Sequence, residues 1–169
     1  MAAPISDYGY LYGSSNNVIA TLSSDSDVAA LRNLSSTTTS ITLPDSGTTF
    51  NIADVYKVEI LSPTTALPSY FCAFFPNLQN VDLSAANLIT IITTHFCDNC
   101  SNLTSLNLLN TISSIRGFFL RGCTSFNQEI NFQSLGTQQG YVQVGNYFMR
   151  DCTSFNKPVK CQYIRAIDQ

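Results

Sequence analysis

The residues best suited to chemistry are the single histidine and the six cysteines. His95, Cys97 and Cys100 are spaced like half of a zinc site, and a Cys–His pair also serves thiol hydrolases. Zinc usually takes four ligands, and the nearest further cysteines, Cys72 and Cys123, lie 23 residues before His95 and 23 residues after Cys100. A hydrolase also needs a third, orienting group, which the sequence does not supply. We therefore predict no catalytic residue, no metal site, no cofactor and no enzyme activity.

Other chemistries lack their signatures as well. Gly117, Gly122 and Gly136 are isolated glycines and form no phosphate-binding loop, and the acidic residues are not paired as in glycosidases. The net charge of −3, a pI near 4.8 and only eight basic residues argue against a nucleic-acid partner. No apolar run reaches eighteen residues, so we expect no membrane insertion.

Most of the cysteines belong instead to a repeat. A Phe is followed by an apolar residue four positions on and by another three positions further. These sets are Phe71/Phe75/Leu78, Phe96/Cys100/Leu103, Phe119/Cys123/Phe126 and Phe148/Cys152/Phe155. An aliphatic residue stands four positions before each Phe: Leu67, Ile92, Ile115 and Val144.

A short apolar-x-apolar strand pattern occurs six times, and each of the last four copies follows one of these sets. The pairs are Ile41/Leu43, Val58/Ile60, Val81/Leu83, Leu106/Leu108, Ile130/Phe132 and Val159/Cys161. From Ile60 onward the second members are separated by 23, 25, 24 and 29 residues. This period is typical of a leucine-rich-repeat solenoid, in which each turn is one strand plus a return segment.

The stretch from Ile92 to Leu108 carries the pattern most fully, and residues 55–169 resemble BspA-like leucine-rich repeats. The resemblance implies an α/β-type repeat solenoid of about five turns, with a parallel sheet on one face and a non-repeat N-terminal cap. BspA-like proteins are typically surface proteins that bind host or matrix components. A similar adhesion role is what the resemblance implies here.

The repeat gives the cysteines a packing role. Cys100, Cys123 and Cys152 hold one repeat position and Cys161 an inward strand position, so we predict small buried side chains whose thiols contact the backbone. Cys72 and Cys97 flank the repeat Phe, and we expect them to be the more exposed pair.

Residues 1–50 are predicted to form the cap and residues 51–169 the repeats. Tyr8, Tyr10 and Tyr12 alternate with small or apolar residues, as in a strand that covers the first end of the core. The alternative is an arm that packs on a neighbouring subunit. After the N-cap signal at residues 24–27, we predict a helix over about residues 26–34 with Val28, Leu31 and Leu34 on one face.

At the other end, Ile167 is expected to hold the position of Ile115 and Val144, with a next copy due at about residue 171. We expect a longer protein or a C-terminal edge covered by a partner, and the alternative is a short protein whose last segment folds back as its own lid. The N-terminus lacks the basic and apolar regions of a Sec signal, so we expect a protein that stays where it is made, leaves by another route or is released as part of a particle. With only 11% charged residues, we expect a cell-surface, extracellular or virion protein.

Polar residues beside the inward strand positions form the predicted binding face: Glu59, Asp82, Ser105, Asn107, Glu129, Asn131 and Lys160. A polar, mildly acidic stripe of this kind suits weak and multivalent protein contacts. The first hypothesis is therefore a non-enzymatic interaction or adhesion module. The second is a structural subunit of a virion or surface layer, in which Tyr8, Tyr10 and Tyr12 and the open C-terminal edge contact neighbours. The partner is a protein in both, and an oligomer is possible in either.

Overall fold

The computed structural model describes residues 7–109, 111–131, 142–160 and 164–166. Residues 164–166 are described through their backbone only. Over these residues the chain is a parallel β-solenoid of about four turns with little helix, preceded by an N-terminal cap. The predicted solenoid with a parallel sheet is confirmed, but the described residues form about four turns where about five were predicted. In the described part of the chain, however, the return segments contain no α-helix, so the α/β character is absent there.

The first sheet joins the cap to the repeats. Its five strands are β1 (Gly9–Tyr12), β2 (Val18–Leu22), β5 (Lys57–Leu61), β6 (Asn80–Ala85) and β8 (Ser105–Asn107), in the order β2-β1-β5-β6-β8. The repeat strands β5, β6 and β8 are parallel, with Val58, Val81 and Leu106 in register and buried. Because apolar and polar residues alternate, the apolar side of each strand faces the core.

A second parallel sheet covers another side of the coil. It contains β7 (Ile91–Ile92), β9 (Ser114–Ile115), β11 (Val142–Val144) and β13 (Ile164–Ala166), in the order β13-β11-β9-β7. The sequence predicted a sheet on one face only. The aliphatic residue four positions before each Phe is itself a strand residue in three repeats, as at Ile92, Ile115 and Val144. This difference arises because strands of two or three residues carry too little alternation to be recognised.

The predicted register at the C-terminal end is wrong by one residue. Val144 on β11 pairs with Ala166 on β13, so Ala166 and not Ile167 aligns with Ile115 and Val144. Ile167 and Cys161 lie outside the residues whose side chains are described. The remaining strands there, β10 (Ile130–Asn131) and β12 (Val159–Lys160), pair in parallel.

The third side of each turn, which we call the turn ladder, comprises residues 70–74, 95–99, 118–122 and 147–151. Alternate residues in it have positive φ, including His95 (58°), Cys97 (50°) and Asn99 (58°). Their N–H groups bond alternately to the following and the preceding turn, as in His95 N to Gly117 O (3.0 Å) and Cys97 N to Phe71 O (2.9 Å). A left-handed residue other than glycine costs about 1–2 kcal/mol. Hydrogen bonds between turns offset that cost.

Behind the turn ladder lies the core predicted from the repeat. Phe71, Phe96, Phe119 and Phe148 stack one above another, with ring centroids 5.4, 5.7 and 5.1 Å apart. The first three rings are fully buried. No single turn could bury such a ring alone, so stability comes from neighbouring turns.

The cap helix α1 (Asp25–Ala30) begins at the predicted N-cap, where the Ser24 hydroxyl accepts from Asp27 N at 3.1 Å. It ends four residues earlier than predicted because the segment after it bonds to residues 70–74, the first segment of the turn ladder. Cys72 N donates to Leu31 O at 3.0 Å, and Asn33 N donates to Tyr70 O at 3.1 Å. Leu31 is buried, but Leu34 is 58% exposed and does not belong to the predicted apolar face.

A short antiparallel hairpin, β3 (Ser40–Thr42) and β4 (Thr49–Asn51), follows α1, and a 3₁₀ turn at Ile52–Asp54 leads into the repeats. The turn between these strands contains Gly47 at a φ of 68°. Such a φ favours glycine, which has no Cβ to clash with the backbone.

Candidate interaction surface

Three residues of the predicted binding face form one row. Glu59 on β5, Asp82 on β6 and Asn107 on β8 are partners in the parallel register, and all three side chains reach solvent. Ser105, at the start of β8, aligns with Asn80 in the adjacent row. We call the outward side of β1, β5, β6 and β8 the sheet face.

The tyrosines considered as an assembly arm lie on the same surface. Tyr10 and Tyr12 are strand residues of β1, which pairs antiparallel with β5 so that Tyr10 lies opposite Glu59. The Tyr12 hydroxyl donates to Glu59 Oε2 at 2.5 Å, and Lys57 Nζ lies 4.7 Å from the centre of the Tyr12 ring. Tyr8 precedes β1 and packs partly against the core. The predicted strand is therefore present as β1, paired with the first repeat strand β5.

Ionisable groups on the sheet face perturb one another. Burial and the hydrogen bond to Glu59 raise the pKa of Tyr12 to about 12. Burial alone would raise the pKa of Asp82, but hydrogen bonds from Ser84 and Asn107, with the nearby Lys57 charge, outweigh it and the pKa is lowered. Asp82 is therefore ionised at neutral pH, and the middle of the sheet face is acidic.

The first sheet ends at β8, and the remaining predicted binding-face residues lie beyond this break. Asn131 on β10 is the register partner of Lys160 on β12, and Lys160 Nζ lies 2.8 Å from Glu129 Oε1. Asn131 and Lys160 thus belong to a separate two-stranded sheet, with Glu129 directly before it. The sequence predicted one polar stripe, and the structure divides it between two sheets, with the break between β8 and β10.

The break is closed by a side chain. Leu106 N donates to Gln128 Oε1 at 2.8 Å, and Gln128 Nε2 donates to Leu106 O at 2.8 Å. One carboxamide thereby satisfies both polar groups of the β8 edge, which an adjacent strand would otherwise satisfy. A groove of about 390 Å³ lies at this point, lined in part by Asn107, Glu129 and Asn131.

Three of the four cysteines predicted to pack in the core, Cys100, Cys123 and Cys152, contact the backbone as predicted, although Cys152 is only partly buried; the fourth, Cys161, lies outside the described residues. The five described cysteines are free thiols. In three turns the thiol donates to a carbonyl of the preceding turn: Cys100 Sγ to Cys72 O (2.9 Å), Cys123 Sγ to Cys97 O (3.1 Å) and Cys152 Sγ to Leu120 O (3.0 Å). Burial raises the pKa of Cys72, Cys97, Cys123 and Cys152, so these thiols are protonated at neutral pH.

One cysteine prediction is wrong. Cys72 and Cys97 were expected to be the more exposed pair, and both are fully buried. They follow the repeat Phe directly, and in an ordinary strand such neighbours point to opposite sides. Cys72 and Cys97 have positive φ values, and the alternating geometry of the turn ladder directs both side chains inward.

The half zinc site does not assemble. His95 lies on the outer side of the turn ladder, stacked between Tyr70 and Phe118 at centroid distances of 4.1 and 4.2 Å, whereas Cys97 and Cys100 are buried. Its Nδ1 lies 2.8 Å from Asp98 Oδ2. Among residues 7–109, 111–131 and 142–160, no cluster of three or more metal-binding side chains is found.

The sequence interpretation missed a buried ion pair beside this histidine. Asp98 is fully buried, and Arg121 from the next turn donates Nε to its Oδ1 (2.9 Å) and Nη2 to its Oδ2 (2.6 Å). The hydrogen bond to Asp98 raises the pKa of Arg121 against the opposing effect of burial. A signal was available, because the position two after each Phe is Ala73, Asp98, Arg121 and Arg150.

The fold defines the class of this protein, a parallel β-solenoid whose N-terminal cap strand extends its first sheet. No protein-family model, curated protein or solved structure matches the chain. The described helices are all too short to cross a membrane.

Proposed function

We propose that this protein is a non-enzymatic interaction module that binds other proteins through its sheet face. The observation that carries the proposal is the register of Tyr10 against Glu59 and of Glu59 against Asp82. This register places the Tyr10 side chain beside the carboxylates of Glu59 and Asp82 on one surface. Tyrosine supplies contact area with a polar tip, and charged neighbours give orientation to a complex.

The rigidity of this surface supports the proposal. The four strands of the sheet face belong to one five-stranded hydrogen-bonded sheet, and the inward residues of β5, β6 and β8 are buried in the core. A preorganised face loses little conformational entropy when a partner binds. The buried thiols, with raised pKa values, favour a packing role over a nucleophilic one.

We also propose that the repeats are of the leucine-rich type and BspA-like, as the sequence pattern implies. The stacked Phe residues and the Cys100, Cys123 and Cys152 thiols, which bond to the preceding turn, hold the positions that this pattern assigns to the core. An adhesion role at a cell surface, in the extracellular space or on a virion follows from that resemblance.

The alternative is a structural subunit of a larger assembly, such as a virion or surface layer. The exposure of part of the Tyr10 and Tyr12 side chains beside a charged strand supports it. In that role the partner is a neighbouring copy or another subunit.

Two substitutions test the proposal. Asp82→Lys replaces a negative charge with a positive one at the centre of the sheet face. Gln143→Lys introduces a lysine on β11 of the second sheet as the control. We expect immobilised wild-type protein and Gln143→Lys to retain the same proteins from host-surface or matrix extracts, and Asp82→Lys to lose them. Equal retention by all three variants would contradict the proposal.

Light scattering distinguishes the assembly role from the adhesion role. A stoichiometric oligomer of the wild-type chain that dissociates in Tyr10→Ser or Tyr12→Ser would favour the assembly role. A monomer that still retains partner proteins would favour the adhesion role.

A further inference from the structure

The groove between β8 and β10 lies where a neighbouring strand would pair with the edge of β8. The edge of β8 presents Leu106 N–H and C=O, and both bond to the Gln128 carboxamide. A carboxamide carries the same donor and acceptor as a peptide group. The Leu106 edge is therefore already occupied by a side-chain substitute for a neighbouring strand.

The lining of the groove fits an extended polypeptide. Its apolar lining residues, which we call the floor, are Leu106, Leu108, Phe126 and Ile130, and Leu106, Phe126 and Ile130 are 4%, 0% and 6% exposed. The polar lining residues are Ser84, Asn107, Gln128, Glu129 and Asn131. Side chains alternate in direction along a strand, so a bound strand could place apolar side chains against the first set and polar ones beside the second. At about 390 Å³ the groove is much larger than the roughly 30 Å³ that one water occupies.

We infer that this groove binds an extended, β-prone segment of a protein partner, whose backbone replaces the Gln128 carboxamide at Leu106 and adds a strand to β8. Such strand addition gains affinity from main-chain hydrogen bonds and specificity from the side chains it buries. The inference rests on the proposed function, because Asn107, Glu129 and Asn131 belong to the predicted binding face and continue into the groove.

The exchange explains why this contact would be weak and reversible. Two hydrogen bonds to Gln128 must break before the partner forms two equivalent ones, so the net gain comes from the side chain placed on the floor. Gln128 therefore acts as an internal competitor. Removing its carboxamide should strengthen binding.

A fluorescein-labelled hexapeptide, Asn-Val-Asp-Leu-Ser-Ala, provides a defined probe. It copies residues 80–85, the β6 strand that already lies parallel to β8 along its other edge. The matched peptide has N-methylated backbone amides, which cannot donate hydrogen bonds. Fluorescence anisotropy with the full chain gives the affinity of each peptide.

We expect Gln128→Ala to bind the unmodified peptide about tenfold more tightly than wild type, as loss of two competing hydrogen bonds implies. Gln143→Ala on the second sheet should bind like wild type, and the N-methylated peptide should bind to none of the proteins. Gln128→Glu keeps the side-chain length but lacks the donor, so it should also bind more tightly and serves if Gln128→Ala fails to fold.

Equal affinity of wild type, Gln128→Ala and Gln128→Glu for the peptide would overturn the inference, as would equal binding of the N-methylated peptide or no binding by any variant. These results would leave the proposed function intact if Asp82→Lys still lost the proteins retained by wild type. Loss of that Asp82 effect would instead refute the proposed function.

Discussion

Tyr12 on the cap strand β1 and Glu59 on the first repeat strand β5 share a hydrogen bond of 2.5 Å across the sheet face. The contact links residues 47 positions apart in sequence. It ties the N-terminal cap to the solenoid and makes the surface of the cap continuous with that of the repeats.

Tyr12→Phe should lower the free energy of unfolding by about 0.5–1.5 kcal/mol, because it removes one hydrogen bond from a partly exposed pair. The effect should depend on pH. Burial and Glu59 raise the pKa of Tyr12 to about 12, above the phenol value of 10.0. A raised folded-state pKa gives stability that is fully present below about pH 10 and lost as the pH rises toward about 12.

Urea titrations at pH 9 and near pH 11 measure this difference. Wild type should lose more stability than Tyr12→Phe over that interval. An identical loss in both proteins would show that the Tyr12 hydroxyl does not hold its proton against Glu59.

Asp98→Asn should destabilise the fold by about 2–3 kcal/mol, since it leaves Arg121 without its buried carboxylate partner. The cost should lie below that of a fully buried pair because the Arg121 side chain is 30% exposed. Asp151→Asn is the matched control, since the Arg150–Asp151 pair spans 3.5 Å with both side chains more than half exposed. The control should change the free energy of unfolding by less than about 0.5 kcal/mol in the same denaturant titration. Similar effects at the two sites would argue against a buried ion pair.

Phe119→Ala should cost about 3–5 kcal/mol, because it leaves a cavity between Phe96 and Phe148. Leu34→Ala should remain within about 0.5 kcal/mol of wild type, since Leu34 is 58% exposed. Thermal or urea unfolding distinguishes the two. A large loss at Leu34 would restore the longer cap helix that the sequence predicted.

The thiols should resist alkylation in the folded protein. Cys72, Cys97 and Cys123 are buried and their pKa values are raised, whereas Cys152 is less buried and its pKa is raised to about 11. Site-resolved mass spectrometry of a Cys161→Ser variant with iodoacetamide should find Cys152 modified first, faster as the pH rises, and the others only after unfolding. Rapid labelling of native Cys97 at neutral pH would contradict its inward position.

The sequence predicted the features that recur at fixed intervals. Phe96 and Phe119, with Cys100 and Cys123, repeat in phase, and stacked turns require like residues to meet in the core. The solenoid, the inward strand positions and the packing role of Cys100 and Cys123 were therefore accessible from spacing alone. The outward positions of Glu59 and Asp82 followed from the same alternation.

Features that depend on contacts between turns were not accessible in that way. The positive φ values at His95 and Cys97 are favourable only because backbone groups of adjacent turns bond to them. Nothing local in the sequence requires Gln128 to close the β8 edge, since its partner Leu106 lies 22 residues away. The Asp98–Arg121 pair could have been found by comparing charges at one repeat position across the turns.

Photo-crosslinking from the sheet face tests the central proposal most directly. A benzophenone amino acid at Asn107, an exposed residue of β8, and the same group at Gln143 on the second sheet probe the two surfaces equally. With host-surface or matrix proteins present, we expect a specific covalent complex from position 107 and none from position 143. Equal crosslinking from both positions, or from position 143 alone, would contradict binding through the sheet face.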